Sequence, residues 1–372
     1  MKILINASNL HVGGGVQVAT SIIDELSRSK SSMLGLSILV SEEVDKNLKS
    51  IGCNLSKFSS YQIFNCYGLS TLWSGLNRKI NKFDIVFTIF GPLYLLSMQP
   101  ISIVGFAQAW IVYPNNETYF SLSAFEKLKI RLKFFIQSLF FKRADKLVVE
   151  LEHVREGLLK LGFLDKKRIH VVRNCLNSLY FKPEQWKPLD GFIEKNKYSI
   201  GFVGRDYLHK NIKIFPFVKK ILFCQYGLDI NFYVTFSATE WNAKSTFFKE
   251  NVVNVGVLNV AQCPTFYQQM DAVIFPSFLE CSSATPLEAM FMSKPLFASD
   301  RGFVRDVCGD FAVYFDPEDL HAISNVIANY INNFTDSDDA RLAAARRHAI
   351  NFSSAQKRVE DYMEIIKIAV LD

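Results

Sequence analysis

Two carboxylates with seven residues between them, Glu280 and Glu288, bracket the end of the run Asp271-Ala-Val-Ile-Phe-Pro-Ser277-Phe-Leu-Glu280-Cys-Ser-Ser-Ala-Thr-Pro-Leu-Glu288. Ala272 to Phe275 has the composition of a buried strand. Pro286, with Ser283 or Thr285 as cap, predicts a helix start just after it. Glu280 then lies on the loop and Glu288 about one turn into the helix, so that both can face a ligand held at the helix N-terminus. The small residues Ser282, Ser283, Ala284 and Thr285 let such a ligand approach the backbone. Exposed amides at a helix start accept phosphate, and carboxylates accept hydrogen bonds from sugar hydroxyls. A nucleotide sugar offers both. Taken alone, such a pair is more simply a dipole-complementing acid and a solvated one; its setting favours the site.

Three further loops follow apolar runs. In Ile200-Gly201-Phe-Val-Gly204-Arg205-Asp-Tyr-Leu-His-Lys210-Asn211, Arg205 and Lys210 lie just past Gly204, where two cations can neutralise a diphosphate. In His11-Val-Gly13-Gly14-Gly15-Val-Gln17, the glycines permit positive φ and close approach, and the helix start beyond them can meet phosphate or an acceptor. That spacing lacks the G-x-G-x-x-G dinucleotide fingerprint, which disfavours NAD. Strand Ser102 to Phe106 delivers Gln108, which is equally read as an ordinary polar loop residue. Val257 and Leu258, after Val255-Gly256, are candidate nucleobase contacts. No Asp-x-Asp follows a suitable strand and the histidines and cysteines are dispersed, so no obligatory metal or other cofactor is expected.

Pro276-Ser277, the Glu pair and Leu287-Glu288-Ala289 together resemble the E-x7-E signature of glycosyltransferase family four. Met290 to Gly302 looks like that family's next strand and loop. Gly204-Arg205 with Lys210 resembles its G-R-x4-K-G, Asn211 replacing the last glycine. Cys281-Ser282-Ser283 replaces a frequent Gly-Phe-Gly, and Gln108 stands near a position where many relatives carry His. Arg143-Ala144-Asp145 and Asn351 to Ala355 extend the likeness over nearly the whole chain.

The resemblance implies a GT-B fold, two Rossmann-like α/β domains facing each other across a cleft. It also implies retaining transfer of a hexosyl or deoxyhexosyl group from a nucleotide diphosphate sugar to a hydroxyl acceptor. Arg205 and Lys210 would stabilise the departing diphosphate, Glu288 would hold the ribose and Glu280 the sugar. Gly14, Gly15 and Gly204 would admit the donor, and Gln17 and Gln108 would lie on the acceptor or sugar side. With no obvious nucleophilic carboxylate in the first half, front-face attack is the expected route. The acceptor implied is a glycan or lipid-linked chain in bacterial surface polysaccharide synthesis. A sugar-nucleotide epimerase or a non-catalytic partner subunit on the same fold are the alternatives.

Positioning these loops requires parallel sheets. Short apolar runs alternate with helical patterns from Ile3 to Val172, and the rhythm restarts at Tyr198. This predicts a first domain over 1–174, a polar linker over 175–197 containing Pro183 and Pro188, a second domain over 198–350, and a helix over 351–372 crossing back to the first. At 372 residues, 49% apolar and 21% charged, the chain has ample core for two domains. The Met-Lys-Ile-Leu-Ile-Asn start reads as a strand, no apolar run approaches the ~20 residues that span a bilayer, and the seven cysteines include no close pair. A cytoplasmic protein with reduced thiols is expected.

The net charge of +6 is concentrated between Ser121 and Leu147, where seven basic residues meet two acidic ones. Within Phe125 to Arg143, Leu128, Leu132, Phe135, Ile136 and Leu139 share one helical face, with Glu126, Lys129, Lys133 and Gln137 opposite. Two readings stay open: an ordinary helix whose apolar face packs on the first sheet, or peripheral contact with an anionic membrane. No nucleic-acid partner is expected.

Overall fold

A computed structural model describes residues 1–29, 35–97, 99–189 and 196–371. Residues 190–195 of the expected linker and residue 372 of the expected crossover helix lie outside these. The chain divides into two compact units: Met1–Pro114 with Leu122–Asn174 and Ser353–Asp372, and Asn115–Ser121 with Cys175–Phe352. The short segment Asn115–Ser121 thus groups with the second unit, although it interrupts the first in sequence.

The first unit is built on β1 (Ile3–Ala7), β2 (Leu36–Val40), β3 (Ser60–Ile63), β4 (Ile85–Thr88), β5 (Ile101–Gly105), β6 (Lys146–Val149) and β7 (Ile169–Val171). They run in the order β3-β2-β1-β4-β5-β6-β7, every pair parallel, with Ile3 opposite both Leu36 and Ile85. Parallel sheets bury both faces, which is why these strands read as unbroken apolar runs. Gly105 closes β5 where no side chain fits, since a Cβ there would stand 1.7 Å from the Ile89 carbonyl oxygen. The helices are α1 (Gly14–Arg28), α2 (Glu42–Ser50), α3 (Leu76–Ile80), α4 (Ala109–Val112), α5 (Ala124–Phe141) and α6 (Glu152–Lys160).

The second unit carries β8 (Tyr198–Phe202), β9 (Ile230–Val234), β10 (Val252–Asn254), β11 (Ala272–Phe275), β12 (Leu296–Ser299) and β13 (Val313–Phe315). Their order is β10-β9-β8-β11-β12-β13, again all parallel. Its helices are α7 (Phe215–Tyr226), α8 (Ala238–Asn242), α9 (Thr246–Asn251), α10 (Cys263–Gln269), α11 (Ala284–Phe291), α12 (Gly302–Cys308), α13 (Leu320–Asn332) and α14 (Asp336–Phe352). The last helix, α15 (Ala355–Leu371), belongs to the first unit, where Val359, Tyr362, Ile365 and Ile366 join the core formed by Ile5, Ile22, Ile38 and Phe87. In both sheets the order reverses beside the first strand, the arrangement that gathers loops at the carboxyl ends.

Helix α5 corrects the first of the two readings of the basic segment. A capping box between Ser123 and Glu126 starts it, but the face carrying Leu128, Leu132, Phe135 and Leu139 is exposed. The buried side presents Gln137 and Phe141, with Phe141 against Phe106 at a ring separation of 4.7 Å and Phe134 stacked on Trp110. Gln137, expected on the polar face, faces inward. The helix has two apolar stripes, and the aromatic one that fits the unit's interior is buried. Among the described residues, no helix is long and apolar enough to cross a membrane.

Candidate functional site

In the second unit the loops after β8 and β11 are tied together. The Phe278 amide donates to the His209 carbonyl at 2.8 Å, and the buried Ser299 hydroxyl bonds the carbonyls of Phe275 at 3.0 Å and Ser277 at 2.7 Å, fixing the chain as it leaves β11. Asn211 takes a left-handed conformation, φ 54°, and its Nδ2 donates to the Pro317 carbonyl at 2.8 Å. Asparagine is among the few residues besides glycine that visit this region readily, so the turn after Lys210 forms without glycine.

That frame brings Lys210 and Glu280 into an ion pair, both side chains mostly buried, with His209 Nε2 3.7 Å from the same carboxylate oxygen. Lys210 Nζ also lies 5.2 Å from the centre of the Phe275 ring. Burial pushes the His209 imidazole below its ordinary value, more than neighbouring Glu280 raises it. The balance favours the neutral imidazole.

Arg205 is placed differently. Its Nε donates to Glu240 Oε1 at 2.8 Å, and the Asp206 amide donates to the same oxygen at 3.0 Å. The other Glu240 oxygen accepts from the Ser237 amide and hydroxyl in the capping box of α8. Desolvation opposes ionisation of Glu240, yet the bonds from Arg205, Ser237 and Asp206 outweigh it and bring its pKa to about 2. Arg205 and Lys210 therefore belong to two separate ion pairs and are not an uncommitted pair of cations. The bond to Glu240 uses one of the five guanidinium N–H donors.

Helix α11 begins one residue after Ser283, whose side chain makes no capping bond, and its first turn contains no acid. This corrects the expected role of Ser283 as a side-chain cap; the Thr285 hydroxyl instead donates to the Val203 carbonyl at 3.4 Å. Ser282 and Ser283 are half-buried and Ala284 is exposed at the helix start. Glu288 is also less open than expected: its carboxylate accepts from the Tyr267 hydroxyl of α10 at 2.8 Å. Burial raises its pKa, while Tyr267 and Tyr180 act in the opposite sense.

At the carboxyl end of β10, Val257 is exposed and Leu258 half-buried beyond Gly256. Gly204 lies where a Cβ would meet the Phe202 ring at 3.0 Å, and its amide donates to Thr235 Oγ1 at 3.2 Å.

The remaining candidates lie in the first unit. Gly14 and Gly15 open α1, and Gln17 Nε2 donates to Asn47 Oδ1 at 3.3 Å. Gln108 lines a cavity of about 200 Å³ together with Ser8, Asn9, Tyr94 and Gln137. His209, Glu240, Tyr267 and Tyr180 were not singled out from the sequence. Ser237-x-x-Glu240 is a legible capping box, whereas the contact between Tyr267 and Glu288 joins two helices and leaves no local pattern. Among the described residues, no group of three or more His, Cys, Asp or Glu is placed to hold a metal ion.

Residues 236–349 match the family described as Glycosyl transferases group 1. The chain is 25% identical over 224 residues to the O-antigen chain mannosyltransferase RfbU of Salmonella typhimurium, spanning 60% of each protein. It is 23% identical over 334 residues to an uncharacterized 41.2 kDa protein in the cps region of Klebsiella pneumoniae, covering 86% of this chain and 89% of that one. Among solved structures, Anabaena HepE in complex with UDP-glucose superposes with a TM-score of 0.72 at 13% identity, over 99% of this chain and 100% of that one. A Rickettsia africae glycosyltransferase gives 0.69 at 16% identity, over 99% and 98%.

Proposed function

We propose that this chain, which has the GT-B fold and carries a Glycosyl transferases group 1 domain at residues 236–349, moves a sugar from a nucleotide diphosphate sugar to a hydroxyl acceptor with retention. The observation that carries this reading is the ion pair of Lys210 and Glu280 beside the uncapped, acid-free start of α11. A helix start of that kind suits an anionic ligand, and the adjoining pair offers a cation for phosphate and a carboxylate for sugar hydroxyls.

In this reading Lys210, Arg205 and the amides around Ser283 to Thr285 bind the diphosphate and stabilise it as the anomeric C–O bond breaks. Glu280 orients the sugar, and Glu288 with Tyr267 holds the ribose near the Val257–Leu258 loop. The acceptor hydroxyl attacks from the face the diphosphate leaves, and its proton passes to the departing phosphate oxygen. Side chains and amides carry the phosphate charge without an obligatory metal. Gly14, Gly15 and Gly204 admit the donor, and Gln17 and Gln108 serve the acceptor or sugar side. The acceptor is a lipid-linked or growing bacterial surface polysaccharide such as O-antigen or capsule, reached from the inner face of the cytoplasmic membrane. Contact there runs through Phe125 to Arg143.

A thermal-shift screen against UDP, GDP, dTDP and their sugars tests the donor site, since a ligand bound only by the native state raises its melting temperature. One nucleotide diphosphate should stabilise the protein, Glu288→Ala should abolish the shift, and the corresponding sugar donor should be turned over with acceptor. Binding without turnover or hydrolysis selects a partner subunit. Conversion of the donor without acceptor selects an epimerase.

A further inference from the structure

Three neighbouring strands of the first sheet, β1, β4 and β5, open at their carboxyl ends onto one cavity of about 200 Å³. Asn9 reaches it from the turn after β1, Tyr94 from the loop after β4, Gln108 from the loop after β5, and Gln137 from α5. The sheet order reverses between β1 and β4, and the crevice outside such a reversal is where open parallel sheets take ligands.

The chemistry of the wall is one-sided. Among the described residues no charged side chain lines the cavity, so it offers neither a cation for a phosphate nor an acid for an ammonium group. Hydrogen-bond acceptors are instead in surplus. Asn9 commits its Nδ2 to the Phe90 carbonyl at 2.7 Å, which leaves its buried Oδ1 as an acceptor without a partner among the described residues. Gln137, only 8% exposed and beside the Tyr94 hydroxyl, likewise has a buried Oε1 that receives no hydrogen bond from them. The Ser8 hydroxyl, also in the wall, donates its proton to Asn6 Oδ1 at 2.7 Å and can only accept from a ligand. Buried acceptors left without a donor are costly, and nearly all of those in folded proteins find one.

An occupant that satisfies this wall is uncharged and rich in hydroxyl donors. Volume narrows the choice, because about 200 Å³ is below the ~300 Å³ at which sites for drug-sized ligands begin. A single sugar ring fits that space and a nucleotide does not.

We propose that the cavity is a subsite for one uncharged sugar ring, with Asn9 Oδ1 and Gln137 Oε1 each accepting from one of its hydroxyls. A uronate or a sugar phosphate would set its own acceptor oxygens against those of the wall with no cation to offset them, so the subsite selects against both. That this ring is the end of the acceptor glycan rests on the transfer reaction proposed above; the binding and its selectivity do not.

Saturation-transfer NMR of the full chain, without donor, tests it against the methyl glycosides of mannose, glucose, galactose and rhamnose, and against methyl glucuronide and glucose 6-phosphate. At least one neutral glycoside should receive saturation, and the two anions should bind roughly tenfold more weakly or worse. Gln137→Met keeps the length of the side chain and removes the acceptor. It should weaken the bound glycoside about tenfold and leave the melting temperature unchanged or higher, since an apolar group replaces an unmet polar one. Asn9→Ala should weaken binding at least as much but also loses the bond to Phe90, so Gln137→Met carries the test if that variant does not fold. No saturation of any neutral glycoside, equal binding of the anions, or undiminished binding by Gln137→Met overturns the proposal. Because no nucleotide is present, failure of the transfer reading leaves this outcome unchanged. Where transfer is observed, Gln137→Met should raise the acceptor KM with little change in kcat, and the glycoside should compete with acceptor. A glycoside that binds without competing would keep the subsite and remove its assignment to the acceptor.

Discussion

At Glu288 two effects oppose each other. Burial disfavours the charged carboxylate, while Tyr267 and Tyr180 favour it, and the balance leaves the pKa raised. A carboxyl with a raised folded-state pKa is stabilised in its neutral form, so its contribution to stability is present at low pH and lost as pH rises through that value. Glu288→Gln keeps the shape and removes the ionisation. Its melting temperature should match that of the unmodified protein below the ordinary carboxylate range and exceed it once the pH has risen past the raised value. If the ribose reading holds, nucleotide affinity should meanwhile fall by roughly tenfold, the cost of one charge-assisted hydrogen bond. A variant that is less stable throughout this pH range would show that the carboxylate is structural.

Lys210 and Glu280 invite a complementary test. Lys210→Ala strips a mostly buried carboxylate of its cation and should cost about 1–3 kcal/mol of stability, besides lowering turnover by roughly 100-fold. Adding Glu280→Gln should restore the melting temperature without restoring turnover. Both motifs were legible in the sequence because residue type and spacing carry them. That Lys210 pairs with Glu280 and Arg205 with Glu240 was not, since each pairing joins segments at least 35 residues apart.

At the scale of the element, parallel strands buried on both faces announce themselves as apolar runs, and that from Ala272 to Phe275 was legible to the residue. Strand β3 was not. Ser-Tyr-Gln-Ile at the sheet edge is half-exposed and follows no apolar pattern, so only its pairing with β2 makes it a strand. Helix α5 was legible as a helix but not in its orientation, because apolar residues on both stripes satisfy the same periodicity. The reciprocal bonds of Ser123 and Glu126 should govern its first turn. Ser123→Ala is expected to cost about 1 kcal/mol and to speed amide exchange over Phe125 to Lys127 while leaving Gln137 to Phe141 unchanged. Uniform acceleration along the helix would show that tertiary packing, and not the cap, holds its start.

At the scale of the whole molecule, the first unit is closed by a helix that arrives after the entire second unit has intervened in sequence. The chain passes between the units after Pro114, Ser121, Asn174 and Phe352. What anchors α15 was not visible, because it lies in one buried arginine. Arg358 is 2% exposed, and its guanidinium donates to Asn174 Oδ1 at 2.7 Å and to Ser21 Oγ of α1 at 2.8 Å. It thereby links α15 both to α1 and to Asn174, the last residue of the first unit's second segment. Beside it, Val359 and Tyr362 are buried in the unit's core, with Tyr362 4.7 Å from the Phe87 ring. Arg358→Ala removes two hydrogen bonds to a charged donor and leaves a cavity, which together should cost about 3 kcal/mol. Arg358→Lys keeps the charge but not the fork that reaches both partners, so it should recover only part of the loss. Because the anchor lies wholly in the first unit, hydrogen exchange should quicken in α1 and α15 and leave the amides of β8 to β13 at their original rates. Equal acceleration in both units would mean that Arg358 supports the folding of the chain as a single cooperative body.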